Sequence, residues 1–321
     1  MASPLRHIPG IEASKTFRQE ASSTSITPPT TPNPTRTSAH ELLAEIQKIH
    51  SSLAACSSLA PGDEINTLLT YLVNLCIKSY SVEFTSYFFS IPGIEDLCQK
   101  LRPLCSESEG ELESFWAKRM TEATSESIGT SQSNRSILAT FPYHQNYIDL
   151  SRLECSTLEA FLPSTPTQIA FVGSGPLPLT SLCILDRYPN VKAHNIDRDS
   201  NALVTSQKLC GNLGYGERMT YGCEDVSLET GSSTAWKSFE VVFLAALVGT
   251  DTNSKVSILS SICKKLSPGA LIVARSARGL RSVLYPILEL SDDLDRIGLE
   301  VLAEVHPWTQ VVNSVIVLRV K

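Results

Sequence analysis

The chain is 321 residues long, 42% hydrophobic and carries a formal net charge of −6, which allows two domains with real cores. That charge sets nucleic acid aside as a partner, because a phosphate-binding surface needs clustered Lys and Arg. No apolar run nears the roughly 18 residues that span a bilayer, so no membrane partner is expected. Nine cysteines, an odd number without CxxC spacing, read as reduced thiols of a cytoplasmic protein, in keeping with an N-terminus that lacks an apolar signal core. The six histidines do not cluster with them, so no zinc site is expected.

Residues 1–38 hold the run TSITPPTTPNPTRTS, which can neither pair as a strand nor wind as a helix, and are expected to form a disordered tail. From 39 to 140 the pattern is helical. Leu42, Leu43, Ile46, Ile49 and Leu53 recur at three- and four-residue spacing, as do Ile65, Leu68, Leu69, Leu72 and Val73. A third helix is predicted at 94–104. Ser106 with Glu109 three residues on resembles a capping box, which predicts a fourth helix starting there. Positions 109, 112, 113 and 116 share one face of that helix, so Glu109 and Glu113 stand beside Leu112 and Trp116, while Glu107 and Glu111 point away. Carboxylates on an apolar face are costly unless a cation or donors meet them. Two readings stand: a functional pair, or an edge helix whose glutamates reach water.

A polar loop is expected at 121–136. The segment 141–147, FPYHQNY, packs aromatics and amides around a proline; Tyr143 and Tyr147 are either hinge residues or hydrogen-bonding groups for a ligand between the domains. A helix over 146–161 then leads into 168–180, QIAFVGSGPLPLT. Here a short apolar strand turns through Gly173, Ser174 and Gly175 and is expected to enter a helix at Pro176. Glycines there let the backbone approach a ligand, and the helix N-terminus faces it. Pro178 stands where the third glycine of a dinucleotide fingerprint would fall. Asp197, at the end of the next strand, is placed to accept from ribose hydroxyls, its alternative being to cap the following helix; Asp199 is either a second ligand or the N-cap of that helix. Strands are predicted at 168–172, 191–196, 218–221, 239–245, 270–275, 299–305 and 312–319, with helices at 199–213 and 252–266. The last two strands are close enough to pair antiparallel. Asp225 follows the third strand, facing an adenine amino group or closing a turn. Ala245, in the small-residue run after the fourth strand, would leave room for a ligand at the carboxyl ends of the strands. The fold class expected is α/β: a Rossmann-like, class I methyltransferase-type domain that binds S-adenosylmethionine, over 141–321, with an N-terminal all-helical domain.

Eight blocks together resemble the nicotianamine synthase family: LCSESEGELE (104–113), FPYHQNY (141–147), FVGSGPLPLT (171–180), NIDRD (195–199), FEVVFLAALVG (239–249), PGALIVARSARGLR (268–281), Leu284-Tyr285-Pro286, and His306-Pro307 with VVNSV (311–315). The similarity runs from about residue 41 to the end of the chain. The resemblance implies the same two-part fold. It also implies a reaction in which three S-adenosylmethionine molecules are joined through their 3-amino-3-carboxypropyl groups into nicotianamine. Three methylthioadenosines leave, and an azetidine ring closes.

The nucleophile of such a reaction is an α-amine that must lose a proton, which calls for a carboxylate within reach. By analogy Glu109 is the leading acid/base, with Glu113 and Glu107 behind it, and Tyr143 and Tyr147 orient the amino-acid part. Gly173, Ser174 and Gly175 pass close to S-adenosylmethionine, with Asp197 on the ribose and Asp225 near the adenine. Arg275 and Arg278 either meet substrate carboxylates or form surface salt bridges. The only small-molecule partner expected is S-adenosylmethionine as substrate, with no further cofactor and no metal; a homo-oligomer is left open. The chain departs from the family where Arg278 replaces the histidine of RSAHGAR, where HPWTQVVNS replaces HPTDEVVNS, and where His144 replaces the second tyrosine of FPYY. A small-molecule methyltransferase on the same fold and a non-catalytic binding protein are the alternatives.

Overall fold

In the computed structural model, residues 34–126, 136–228 and 234–321 are described. Of the tail expected at 1–38, residues 1–33 lie outside this range. The last five do not fit the expectation, because helix α1 (Pro34–Ala55) already begins at Pro34. Proline is tolerated there because the first helical turn needs no donor from it.

Four helices form the first layer: α1, α2 (Asp63–Ile77), α3 (Val82–Ser90) and α4 (Ile94–Glu126). The periodic residues of α1 are its buried ones, Leu42, Leu43, Ile46, Ile49 and Leu53. Helix α3 has no counterpart among the predicted elements. Ser81 caps it by accepting from the Phe84 amide, and Phe84 stacks between Tyr80 and Phe88. The predicted third and fourth helices are one helix of 33 residues, running through Pro103. The capping box at Ser106 therefore does not form; nearby, Ser108 instead donates back to the Leu104 carbonyl. An interior proline costs roughly 3 kcal/mol, which burial of Leu97, Leu101, Leu112, Trp116 and Met120 on either side offsets.

Helix α5 (His144–Glu159) leads into a seven-stranded sheet: β1 (Gln168–Val172), β2 (Lys192–Asp197), β3 (Met219–Cys223), β4 (Val241–Leu244), β5 (Leu271–Ser276), β6 (Leu299–Val305) and β7 (Ser314–Val320). The order is β3-β2-β1-β4-β5-β7-β6, parallel except for β7, which runs antiparallel to β5 and β6. Helices α6 (Leu179–Arg187), α7 (Ser200–Asn212), α8 (Thr252–Lys265) and α9 (Asp292–Arg296) complete the chain. The strand order reverses between β1 and β4, and this crevice is where ligands of open α/β sheets sit.

The core crosses between the layers. Leu112, Trp116 and Met120 of α4 pack in one cluster with Ile169, Phe171 and Phe243 of the sheet. Ile94, Leu97 and Leu101 pack in another with Ile46, Leu72, Phe88 and with Leu280, Val283 and Leu284. Polar ties reinforce the junction. Arg102 donates twice to the Ser282 carbonyl, and Arg281 donates to the carbonyls of Ile77 and Thr309. Deeper in, Arg275 of β5 forms a two-bonded ion pair with the fully buried Glu154 of α5, at 2.7 and 3.0 Å. Removing one charge of such a pair leaves the other unpaired in the interior, at roughly 3–5 kcal/mol. Glu154→Gln keeps the shape and deletes the charge, so it should lower unfolding stability by about that amount in urea titrations; a loss under about 1 kcal/mol, the scale of an exposed pair, would mean that water reaches the pair.

Candidate active site

A cleft of about 610 Å³ opens at the carboxyl ends of β1, β2 and β4, walled on its far side by α4 and the start of α5. That volume lies within the ~300–1,000 Å³ common for small-molecule sites. Its floor is the turn after β1. Gly173 has a φ of +78°, and a Cβ there would lie 2.5 Å from Val248 Cγ2. Gly175 has a φ of +62°, and a Cβ there would lie 2.9 Å from Glu113 Oε2. Only glycine meets both demands at these positions. The Gly173 and Ser174 amides donate to the Ile196 carbonyl, and the Gly175 amide to Asp197 Oδ2. The turn is longer than expected: α6 starts at Leu179 rather than near Pro176, so the whole loop 173–178 lines the cleft.

Asp197 lines the cleft with both oxygens already engaged, Oδ1 accepting from the Asp199 amide. A carboxylate has about four lone-pair sites, so it still has room for hydroxyl donors. Asp199 is the N-cap of α7, accepting from Asn201. Ser174 lines the cleft, and its buried Oγ has no partner in the protein. Ala245 also lines it, beneath Gly173. Asp225 does not: it is exposed and closes a turn, accepting from the amide and hydroxyl of Ser227.

The loop after β4 is held from below by a residue that the sequence did not flag. Lys255 of α8 is fully buried, and Nζ donates to the carbonyls of Ala246 (2.7 Å) and Val248 (3.0 Å). Burial brings its pKa down to about 7. A neutral amine has two protons, matching the two carbonyls.

On the opposite wall, Glu109 and Glu113 face the cleft from α4. Tyr285 donates to Glu109 Oε2 at 3.0 Å. The Tyr147 hydroxyl lies 2.9 Å from Glu113 Oε1 and 3.3 Å from Glu109 Oε1. Burial raises the pKa of both carboxyls; for Glu113, burial and then the neighbouring Glu109 push it up to about 8. The two tyrosine bonds and the Arg275 charge oppose the rise at Glu109. Tyr147 and Tyr285 are themselves pushed well above the usual phenol range, by burial first, and stay protonated. Tyr147 has one proton for two carboxyls. With Glu113 protonated, the Glu113 proton can run to the Tyr147 oxygen and the Tyr147 proton to Glu109. Glu109 is then an anion with two phenol donors, and Glu113 a neutral acid.

Tyr143 forms part of the wall, together with Val73, Asn146 and Val312, between this cleft and a second cavity of about 1,000 Å³. Glu107 is exposed at the rim. Arg275 reaches the cleft, but its Nε and Nη2 are taken by Glu154 and Thr180. It is therefore neither a free fork nor a surface salt bridge. Arg278 is exposed and lies outside the lining. Among the described residues, no group of three or more His, Cys, Asp or Glu could hold a metal ion.

The family model described as nicotianamine synthase protein matches residues 35–321. Nicotianamine synthase 2 of Oryza sativa subsp. japonica is 36% identical over 282 residues, covering 87% of this chain and 82% of the relative. Nicotianamine synthase of Solanum lycopersicum is 35% identical over 287 residues, covering 87% and 83%. Among solved structures, MtNAS in complex with MTA and tNA superposes with a TM-score of 0.71 at 18% identity, over 88% of this chain and 97% of that one. A mutant of MtNAS in complex with S-adenosylmethionine gives 0.68 at 21%, over 86% and 97%. At these identities the solved structures speak for the fold.

The raised Glu113 carboxyl fixes the sign of a pH effect. A carboxyl whose folded pKa exceeds its unfolded one contributes stability below the unfolded value, near 4.3, that is lost as pH rises through the folded value. The ligand-free protein should therefore lose stability between about pH 5 and about pH 8, and Glu113→Gln should remove part of that loss. In thermal unfolding, the Tm of the variant minus that of the wild type should grow from about pH 6 to about pH 9. A difference independent of pH would show that Glu113 is not the protonated group.

Proposed function

The chain belongs to the nicotianamine synthase family, and on that premise we propose how its cleft performs the reaction. Three molecules of S-adenosylmethionine are joined by transfer of 3-amino-3-carboxypropyl groups, one end closes into an azetidine ring, and three methylthioadenosines are released. In each of the two intermolecular transfers an α-amine lone pair attacks the Cγ of the aminocarboxypropyl arm of a sulfonium, the C–S bond breaks and its electrons neutralise the sulfur. Ring closure is the same displacement within one unit, where the nitrogen attacks the Cγ of its own arm and expels the third methylthioadenosine; each ammonium so formed sheds a proton.

The observation that carries the site reading is Glu109, held by two phenols at the wall facing the glycine turn. An anion there attracts ammonium and sulfonium cations, and it accepts the amine proton at Oε1 or Oε2. Tyr147 and Tyr285 fix the carboxylate and moderate its basicity. Glu113 is bonded to Tyr147, and the proton that Glu109 gains leaves to solvent between transfers, which readies the carboxylate for the next amine. The carbons on a sulfonium are all electrophilic, so position decides which is attacked. Gly173, Ser174, Gly175 and Asp197 would hold the nucleoside end on the sheet side, with Ala245 leaving space beside it. The aminocarboxypropyl arm would then point toward α4. Glu109 and Glu113 on that wall favour self-condensation over methyl transfer, since a methyltransferase would need a separate acceptor pocket.

The product, with three carboxylates and its amine nitrogens, suits chelation of transition metals, which points to a role in metal handling; the protein itself need hold none. Nine free cysteines suit a reducing compartment such as the cytoplasm.

Incubation with S-adenosylmethionine alone should yield methylthioadenosine and nicotianamine by mass spectrometry. S-adenosylhomocysteine, formed only when other acceptors are added, would overturn self-condensation. Glu109→Gln should still bind S-adenosylmethionine while turnover falls roughly 100-fold to 10,000-fold, the usual worth of a positioned base. Near-normal turnover would remove Glu109 from the mechanism. EDTA should leave the rate unchanged; inactivation reversed by added metal would refute the metal-free mechanism.

A further inference from the structure

We propose that Asn313 is the donor that seats the carboxylate of the substrate's amino-acid arm, working beside Arg275 across the cleft from Glu109. The proposal rests on the reading of this cleft as the S-adenosylmethionine site. Asn313 is 6% exposed and lines the cleft. Its Nδ2 is buried and has no hydrogen-bond partner in the protein. Native interiors rarely keep a buried amide donor without an acceptor, so such a group in a cleft wall points to something that enters the cleft.

The sheet register says what stands next to it. Arg275 of β5 pairs with Val315 of β7, and Asn313 lies two positions before Val315. Side chains two apart on an extended chain share a face, and Asn313, immediately ahead of β7, lines the same cleft as Arg275. Arg275 commits Nε and Nη2 to Glu154 and Thr180, and Nη1 takes no part in those bonds. Its charge nonetheless reaches Glu109 and Glu113, opposing the rise that burial imposes on both. The cleft thus has an acidic wall and a donor wall within each other's field.

An α-amino acid group is a zwitterion, and this polarity matches it. The ammonium turns to the Glu109 carboxylate, and the carboxylate turns to Arg275 Nη1 and Asn313 Nδ2. Arg275 alone would hold an anion weakly, because Glu154 already offsets its charge. A second buried cation would need its own counter-charge. An amide supplies the missing N–H without one. The same seat would serve the carboxyl group of a free substrate and of a growing intermediate, so it selects for an amino-acid arm rather than for the nucleoside.

The test compares two ligands that differ in that arm. S-adenosylmethionine carries it; methylthioadenosine keeps the nucleoside and thioether and lacks it. Calorimetric titration should show that Asn313→Asp, which puts a carboxylate against a carboxylate, weakens S-adenosylmethionine by about 10-fold to 100-fold and leaves methylthioadenosine within about twofold. Asn313→Ala, which adds no charge, should do the same more mildly and decides the matter if the aspartate variant does not fold. Equal weakening of both ligands, or of neither, would overturn the role of Asn313. A wild-type protein that binds neither ligand would instead overturn the reading of the cleft, and this proposal with it.

Discussion

The buried pair between Arg275 and Glu154 is the contact on which the architecture turns. It joins the middle of the sheet to the helix that carries Tyr147, and through Thr180 it also holds the helix that follows the glycine turn. The guanidinium lies 5.3 Å from the ring centroid of Phe171, beside the strand from which the glycine turn departs. A buried charge is tolerated only when nearly saturated, and here three elements must be in place before it is. The pair is thus a test of correct assembly as well as a contact. Its residual field leans on the two glutamates across the cleft and opposes the rise that burial imposes on both.

Those glutamates show how a helix can carry two carboxyls on its inner face. Separately buried, each would be costly. Bridged by one phenol and sharing what amounts to one proton, they behave as a single acid–base unit in which environment, not chemistry, assigns the roles. Tyr285 tips the balance by donating to only one of them. The arrangement suits a sequence of similar transfers, because every cycle delivers a proton to the same carboxylate, which passes it on to solvent.

Much of this was legible in the sequence, for identifiable reasons. All seven strands lie within about two residues of their expected limits, because strands buried on both faces are continuous apolar runs between turns. Glu109 and Glu113 could be placed inward because helical periodicity depends only on spacing. Boundaries set by competition were missed. One helix was expected to end at Leu104 and another to begin at Ser106, but packing on both sides of them outweighed the local signal. Helix α3 was hidden by its shortness and its aromatic content. Asp225 was read as a ligand or a turn residue, and it closes a turn. Tyr285 and Glu154 acquire meaning only through partners far away in the chain, and Lys255 and Asn313 only through the burial that the fold imposes. Tyr285 at least stood inside a family block, while a lysine on a helix such as α8 looks like any solvated one until the fold buries it.

The uninterrupted course of α4 also limits how the molecule can move and be taken apart. Its first three turns belong to the helical cluster and its middle to the sheet's cluster, so it works as an axle shared by two wheels. A hinge between the layers would have to bend that axle, and both carboxyls ride on it. Passage of substrate and product is therefore left to the short loops around the cleft. Dissection meets the same obstacle: a cut at any point before or after the helix strips apolar side chains of half their neighbours. Neither fragment would inherit a complete interior, and the active site, built from both, would belong to neither.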